Sequence, residues 1–579
     1  MSKNDTSPVE DKAQQQATYG LQPQPGHGPQ PQAAYGLPPH ATYGAPQPAQ
    51  GPPPQATYGA PQPAYGPPYT PVFAKKKEKV IFTPDANDFY FAIFAFVLGY
   101  LCSRWVVFSW LGWGVALFTM LYLLTVTVYF KIKGALVNSF SVWFWFTVTL
   151  LLGASYALFD NNGFYFARAM FLLGAAIYYV VVASGRTIKA KNGNYLLIDG
   201  LNASVIIPFR NFINQYLSFS YLAKGKYRGK VLPVIFGIII AIVFAAVLIP
   251  MLRRADSGGF GIVLKFISDI FDFRFAEFMF YAFFAIPIAA FIYGLVSGSA
   301  HGRHTDTIKP ESAEKKVAAL RFAQSATVFI VLGTVCVLYL VFIFSQMPYF
   351  FSAFTGNRPE GWLIYAEYAR HGFFELCGIA AINLAILTVA NITSKKQRVD
   401  SSLLKVFNII LALITLVLIA TAFSKMAMYI DAYGLTMPRL LPCVFMAFLA
   451  VVFIALIVLQ KWDFSIVRFA LVTGAVMFCA LCLSNPDALA VRYNTNRFMS
   501  GTLKEYDVEV LYRSGMAGVS PAYDVLGWTD DLTLRREIFE YLNYIRAQPR
   551  LNYSGDAHRL SLDSYLAREM LISTAPRSP

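Results

Sequence analysis

The sequence predicts an all-α integral membrane protein, a polytopic bundle of about eleven transmembrane helices, and three observations carry that expectation. Of its 579 residues 56% are hydrophobic and only 14% charged, with a mean hydropathy of +0.47, far from the composition of soluble domains. The apolar residues fall in runs of about 20, the length a helix needs to cross a hydrocarbon core of roughly 30 Å. The net charge of +15 is dealt into short loops between those runs, the signature of membrane topology and not of a nucleic-acid-binding surface.

Residues 1–74 are a low-complexity tail. Between Lys12 and Lys75 there is no charged side chain, and Ala-Thr-Tyr-Gly recurs at 17–20, 41–44 and 56–59. A Pro/Gln/Gly/Tyr-rich stretch this poor in aliphatic residues cannot bury enough surface to offset its ordering entropy, so disorder is expected. A tether is the simplest role, and multivalent binding of a cytoplasmic partner through tyrosines and prolines is the functional one. The start has neither a basic n-region nor an apolar h-region, so no signal peptide is expected. A basic juxtamembrane segment, 75–88, follows with Lys75, Lys76, Lys77 and Lys79.

The transmembrane domain is expected over 89–484. Its spans read as 89–107, 110–130, 139–159, 163–184, 231–251, 278–298, 324–345, 371–391, 403–424, 440–460 and 466–484. With the N-terminus inside, the inner flanks and loops hold 25 Lys and Arg and the outer loops nine. This places the N-terminus in the cytoplasm of a plasma-membrane protein and the C-terminus outside. Two loops look amphipathic. In 208–221 Phe209, Phe212, Ile213, Tyr216, Leu217 and Tyr221 oppose Arg210, Asn211, Asn214, Gln215 and Ser218, which predicts an interfacial helix on the inner leaflet. A second interfacial helix is expected over 260–278.

Ionisable groups at membrane depth are functional candidates because burying them costs several kcal/mol. Arg168 should snorkel or pair with Asp160 across the turn before the fourth span. Glu367, His371 and Glu375 at i, i+4 and i+8 would share a helix face with Arg370 nearby and Asn383 two turns further in. Such a line could relay protons or hold a cation, and a local ion-pair network is the blander alternative. His301 and His304 read as stray loop histidines, Cys479 and Cys482 as packed thiols, and Asn391 and Asn408 as interhelical hydrogen-bond partners. The six cysteines suggest neither a disulfide framework nor a zinc site. No phosphate loop, His-Glu-x-x-His or Gly-x-Ser-x-Gly occurs, so no cofactor or metal is expected.

After Ser484 the composition turns polar, with 11 Lys and Arg against 12 Asp and Glu in 95 residues, and 485–579 is expected to be a small α-helical appendage. Thr529 or Asp531 can cap a helix through Leu532, Ile538, Phe539, Leu542 and Ile545. A second helix over 561–571 should turn Leu562, Tyr565, Leu566 and Met570 inward.

Three separated motifs carry a resemblance: Ala366-Glu-Tyr-Ala-Arg370 with Gly372-Phe-Phe-Glu-Leu376, Tyr433-Gly-Leu-Thr436 with Arg439, and Asn485-Pro-Asp-Ala-Leu-Ala-Val-Arg-Tyr-Asn494. In this order they resemble a bacterial polytopic membrane family known as domain of unknown function 4173, related to 4153. The likeness spans roughly 90–575, is looser after Asn494, and implies a plasma-membrane protein with no activity attached. All three motifs fall on the expected outer side. Arg370 or Arg439 is expected to pair there with Asp487, with Asn485 and Asn494 supplying hydrogen bonds. A non-enzymatic envelope sensor or scaffold with an outer binding face fits these features best. A secondary transporter or flippase would need polar groups at the midplane, and a membrane transferase would have only Glu367, His371, Glu375 and Asp487 as acid, base or metal groups.

Overall fold

A computed structural model describes most of residues 82–573, the larger omissions being the greater part of 223–272 and 549–558. The tail, the lysine-rich start of the juxtamembrane segment and the 260–272 part of the second amphipathic stretch lie outside the described residues.

The described chain is an all-α polytopic membrane protein. Ten of its helices are long and apolar enough to cross a bilayer. They lie on α1 (Ala86–Cys102), α2 (Trp113–Ile132), α3 (Phe140–Leu158), α4 (Tyr165–Ala183), α8 (Phe273–Ala300), α10 (Ser325–Thr355), α11 (Trp362–Thr393), α12 (Ser402–Tyr433), α13 (Met437–Leu459) and α14 (Ile466–Leu483). The eleventh expected span, 231–251, lies largely outside the described residues. Between α4 and α8 sit the short helices α5 (Leu196–Leu201), α6 (Ile207–Arg210) and α7 (Asn214–Phe219), and α9 (Pro310–Ala319) precedes α10. A π-helical turn at Ser103–Val107 closes α1 and turns the chain toward α2 without a long loop.

Two apolar clusters organise the spans. One joins α1–α4, α8 and α14 around Leu123, Leu152, Tyr179 and Tyr293. The other joins α10–α13 around Phe373, Leu411, Leu418 and Phe453. Close packing rests on small residues, as expected where lipid tails compete equally for apolar side chains. A Cβ on Gly99 of α1 would sit 2.6 Å from the Ala285 carbonyl oxygen of α8, so only glycine lets those two backbones meet.

Backbone and side-chain contacts fix which ends lie together. Val137 N–H donates to the Ala183 carbonyl at 2.8 Å, Arg186 to Ser299 O at 3.2 Å, and Arg468 to Ser141 Oγ at 3.1 Å. Ala323 bridges Ser394, and Arg398 reaches Leu459 O. The starts of α1, α3, α10, α12 and α14 therefore share one end with the finishes of α2, α4, α8, α11 and α13. This is the lysine- and arginine-rich end; the opposite end carries the C-terminal helices.

The 208–221 stretch is helical in two pieces, and most of its expected polar side is turned into the protein, although Arg210 is exposed and Tyr216 is buried. Asn211, Asn214, Gln215 and Ser218 are buried while Phe209, Ile213 and Tyr221 are exposed. Gln215 donates to Ala92 O at 3.1 Å and Ser218 shares a hydrogen bond of 2.6 Å with Tyr293. Arg168 is only 1% exposed. It does not pair with the Asp160 carboxylate: its guanidinium donates to the carbonyls of Phe159 and Asp160 at 3.1 and 2.9 Å and lies 3.7 Å over the Tyr156 ring.

The C-terminal helices are α15 (Pro486–Met499), α16 (Glu509–Ser514), α17 (Val519–Trp528), α18 (Leu532–Arg546) and α19 (Leu562–Ser573). They enclose a core of their own around Val491, Leu511, Val525, Ile538 and Leu542. Asp531 caps α18 as expected, accepting from Thr533 N, but Leu532 and Phe539 point outward. The expected inner face of α19 is also reversed. Leu562, Tyr565, Leu566 and Met570 are exposed, while Ser561, Ser564, Ala567 and Leu571 are buried.

Candidate functional site

At the cap end, polar side chains from separate helices form one clasp. Asn485 ends the last span in a left-handed conformation (φ 48°) and caps α15 by accepting from Ala488 N. Pro486 at N1 has no N–H to leave unsatisfied, so the turn is sharp and the helix starts at once. Asn485 also donates to the Asp563 carboxylate of α19 at 2.8 Å. Two α3–α4 turn contacts hold the same helix: the Asp160 carboxylate accepts from Ser561 Oγ at 2.8 Å and from Ser564 Oγ at 3.0 Å. Trp113 N–H donates to Leu560 O at 3.0 Å. Hydroxyl donors facing a carboxylate turn the serine side of α19 inward, since a half-buried carboxylate without partners is costly. Burial, with Asp160 beside it, pushes the Asp563 carboxyl up to about 6, against the hydrogen bond from Asn485 and the Arg492 charge.

The Tyr433 and Asn485–Asn494 motifs are joined by a single amide. Asn494 Oδ1 accepts from Leu435 N at 2.6 Å and its Nδ2 donates to Leu435 O at 2.8 Å. Gly434 stands at φ 78°, ψ 178°, a region open almost only to glycine. A Cβ there would lie 2.6 Å from Asn494 Oδ1. Arg497 reinforces the joint by pairing with Asp431 at 2.9 Å. Arg439 is held by the Tyr433 and Gly434 carbonyls and stacks 4.4 Å over Tyr429, so carbonyls and a ring, not Asp487, receive its charge. Asp487 itself is buried at the start of α15, where the helix dipole favours a carboxylate.

The first motif lies on α11. The side chains of Glu367 and His371 fall outside the described residues. Arg370 is partly buried and Glu375 exposed, and Gly372 leaves room for the Lys425 ammonium of α12, which a Cβ would meet at 2.8 Å. Asn383 is mid-span but fully engaged, accepting from Tyr339 at 2.7 Å and donating to Thr415 at 3.0 Å. Asn391 and Asn408 exchange two hydrogen bonds of 3.1 and 3.0 Å.

A second cluster, at the basic end, is absent from the sequence expectations. Asp85 and Asp88 close a reciprocal capping box at the start of α1. Asp88 is fully buried and accepts from Tyr129 Oη at 2.7 Å, with Lys133 Nζ and His301 Nε2 each at 3.0 Å. Lys133 also reaches Asp85 at 2.8 Å. One carboxylate thus ties together α1, α2 and the end of α8. Two carboxylates three apart before an apolar run are the available signal. Among the described residues no group of His, Cys, Asp or Glu has the arrangement to hold a metal ion.

The family model of a domain of unknown function, DUF4153, matches residues 146–523, well over half of the chain. The motifs suggest the 4173 family with 4153 as its relative, and the model that matches is 4153. Neither a curated protein nor a solved structure matches the chain.

Proposed function

This chain belongs to the DUF4153 family, and we propose that it works as a non-enzymatic sensor or scaffold of the plasma membrane, with its cap helices outside and its N-terminal tail in the cytoplasm. The observation that carries this reading is the clasp: a small helical unit with its own core is fastened to the ends of several spans through Asp160, Asn485, Asn494 and Arg497. A ligand or partner that moves the cap pulls on the spans, because each fastening is a buried or half-buried hydrogen bond, costly to stretch. The mid-span Asn383 is hydrogen-bonded to neighbouring helices, and Asn391 and Asn408, nearer the basic end, to one another, which weighs against a transport path through Asn383. The basic end carries the inner-side lysines and arginines, which supports the orientation. The motifs that resemble the 4173 family lie on the cap half of the spans, the part assigned to recognition.

Two measurements test this. A cysteine at Ser554 should react with an impermeant reagent on intact cells and one at Ser312 should not; the reverse pattern overturns the orientation. In bilayer discs, Asn485→Ala with Asp563→Ala should raise hydrogen exchange both in α19 and at the basic end around 395–405. A change confined to the cap would refute coupling and with it the sensor reading.

A further inference from the structure

Three cavities share walls around the first turn of α14, at the basic end. The central one, about 830 Å³, is bounded by Arg398 and Arg468. On one side it adjoins a groove of about 350 Å³ between α3, α4 and α14, where Phe144, Trp145 and Val472 line it together with the Asp199 carboxylate. On the other it adjoins a groove of about 530 Å³ between α11, α13 and α14, where Leu456 and Val467 line it together with the amides of Asn391, Asn408 and Gln460. The central cavity shares Phe140, Arg468 and Val472 with the first groove. It shares Arg398, Leu459 and Ile466 with the second.

The charges are not equivalent. Arg398 is tied to the Leu459 carbonyl and the Asp463 carboxylate. Arg468 is exposed, donates to Ser141 Oγ at 3.1 Å, and has no ion-paired carboxylate among the described residues. Both sit where spans begin and end, Arg398 in the turn before α12 and against the end of α13, Arg468 on the first turn of α14, the depth at which lipid headgroups lie. Aromatic side chains mark the same level: Phe140 is 79% and Trp462 62% exposed, and the Lys461 ammonium lies 5.3 Å from the Trp462 ring. A guanidinium with no ion-paired carboxylate among the described residues, flanked by two grooves that mix apolar and polar walls and open at the basic end of the spans, has the charge and shape to take an anionic headgroup and the first part of its chains.

We infer that the cavity at Arg468 and Arg398 binds an anionic phospholipid, its phosphate on Arg468 and one acyl chain in each flanking groove. Guanidinium matches phosphate in charge and in paired-donor geometry. The cavity volume lies in the range of small-molecule sites. The site straddles the seam between the two apolar clusters, since α3, α4 and α14 belong to one and α11 and α13 to the other, so a bound lipid would staple them.

The test uses the full-length chain in mild detergent, with lipid retention read by native mass spectrometry. Phosphatidylglycerol should be retained at least about tenfold better than phosphatidylcholine with the same chains. Arg468→Gln should cut phosphatidylglycerol retention about tenfold, the worth of one charged hydrogen bond, and leave phosphatidylcholine unchanged. Val472→Trp, which fills a groove without touching charge, should lower retention of both, and Lys405→Gln, at the same end but outside the cavity, should alter neither. Should Arg468→Gln not fold, Arg468→Lys must keep part of the preference. Equal retention of the two lipids, an undiminished preference in folded Arg468→Gln, or displacement of phosphatidylglycerol by millimolar inorganic phosphate would each overturn the assignment.

Discussion

The Asn494–Leu435 joint makes the sharpest prediction, because Gly434 and Asn494 must depend on one another. Asn494→Ala removes the partners of both backbone groups of buried Leu435, leaving its N–H and C=O unsatisfied. At about 1–3 kcal/mol for each orphaned group, softened by relaxation, the loss should be about 2–4 kcal/mol. Gly434→Ala adds two separate costs. One is conformational, about 1–3 kcal/mol for a side chain at φ 78°, ψ 178°. The other is steric: the new methyl, 2.6 Å from Asn494 Oδ1, pushes the amide off Leu435 and forfeits the same two hydrogen bonds. In a chain that already carries Asn494→Ala, that second cost has been incurred, so the double variant should be less destabilised than the sum of the singles by about 2 kcal/mol. Denaturant unfolding in mixed micelles, followed by circular dichroism, gives all four corners of the cycle. Additivity within about 0.5 kcal/mol would show that the two residues do not share one joint, and the physical link between the two motifs would fall with it.

Two further outcomes follow from the clusters at either end. Asp88→Asn leaves Lys133 with Asp85 alone and His301 without its carboxylate, and should lower stability by about 2–3 kcal/mol, below the usual toll of breaking a buried pair because Asp85 remains; Lys133→Met added to it should recover part of that in the same unfolding assay, and a neutral Asp88→Asn would show that the cluster holds nothing. The Asp563 carboxyl is raised from 3.8 to about 6 in the docked cap, so the folded state binds the proton more tightly: docking of α19 should strengthen as pH falls from 7 toward 4 and lose that contribution as pH rises through about 6, read as hydrogen exchange of α19. Asp563→Asn should flatten this dependence, and a slope of opposite sign would refute it.

Much of the bundle is legible in the sequence because a bilayer imposes one strict demand, that backbone polar groups be satisfied inside a helix about 20 residues long. The ten described spans match expected ones, with the helices α10, α11 and α12 running furthest beyond theirs. Asp88 escapes the sequence reading because the expected first span begins at residue 89, one position past the carboxylate that ties the basic end together. Its histidine partner lies 213 positions away, and no local pattern connects the two. Where motif residues do come together, as with Asn494 and Leu435, the sequence names one partner and not the bond, since a backbone amide leaves no mark in a motif.

The two reversed helices have a common physical cause. Along 208–221 and along α19 the amphipathic pattern divides most of a polar side from an apolar one, Tyr216 and Arg210 being the exceptions in 208–221. What fails is the assumption, for α19, that the apolar side meets protein and, for 208–221, that the polar side meets water. That assumption holds when water is the alternative, because burying a leucine then gains a few kcal/mol. Beside a bilayer the apolar side can face lipid and gains little by exchanging lipid tails for protein. The polar side has the stronger claim on protein contact, because Asn214, Gln215, Ser218, Ser561 and Ser564 find hydrogen-bond partners there that hydrocarbon cannot offer. For α19 this argument places Leu562, Tyr565, Leu566 and Met570, exposed beside Trp113 and the end of α3, at the membrane surface. The cap would then be seated partly in the leaflet at its end of the spans, and its docking would respond to the lipid.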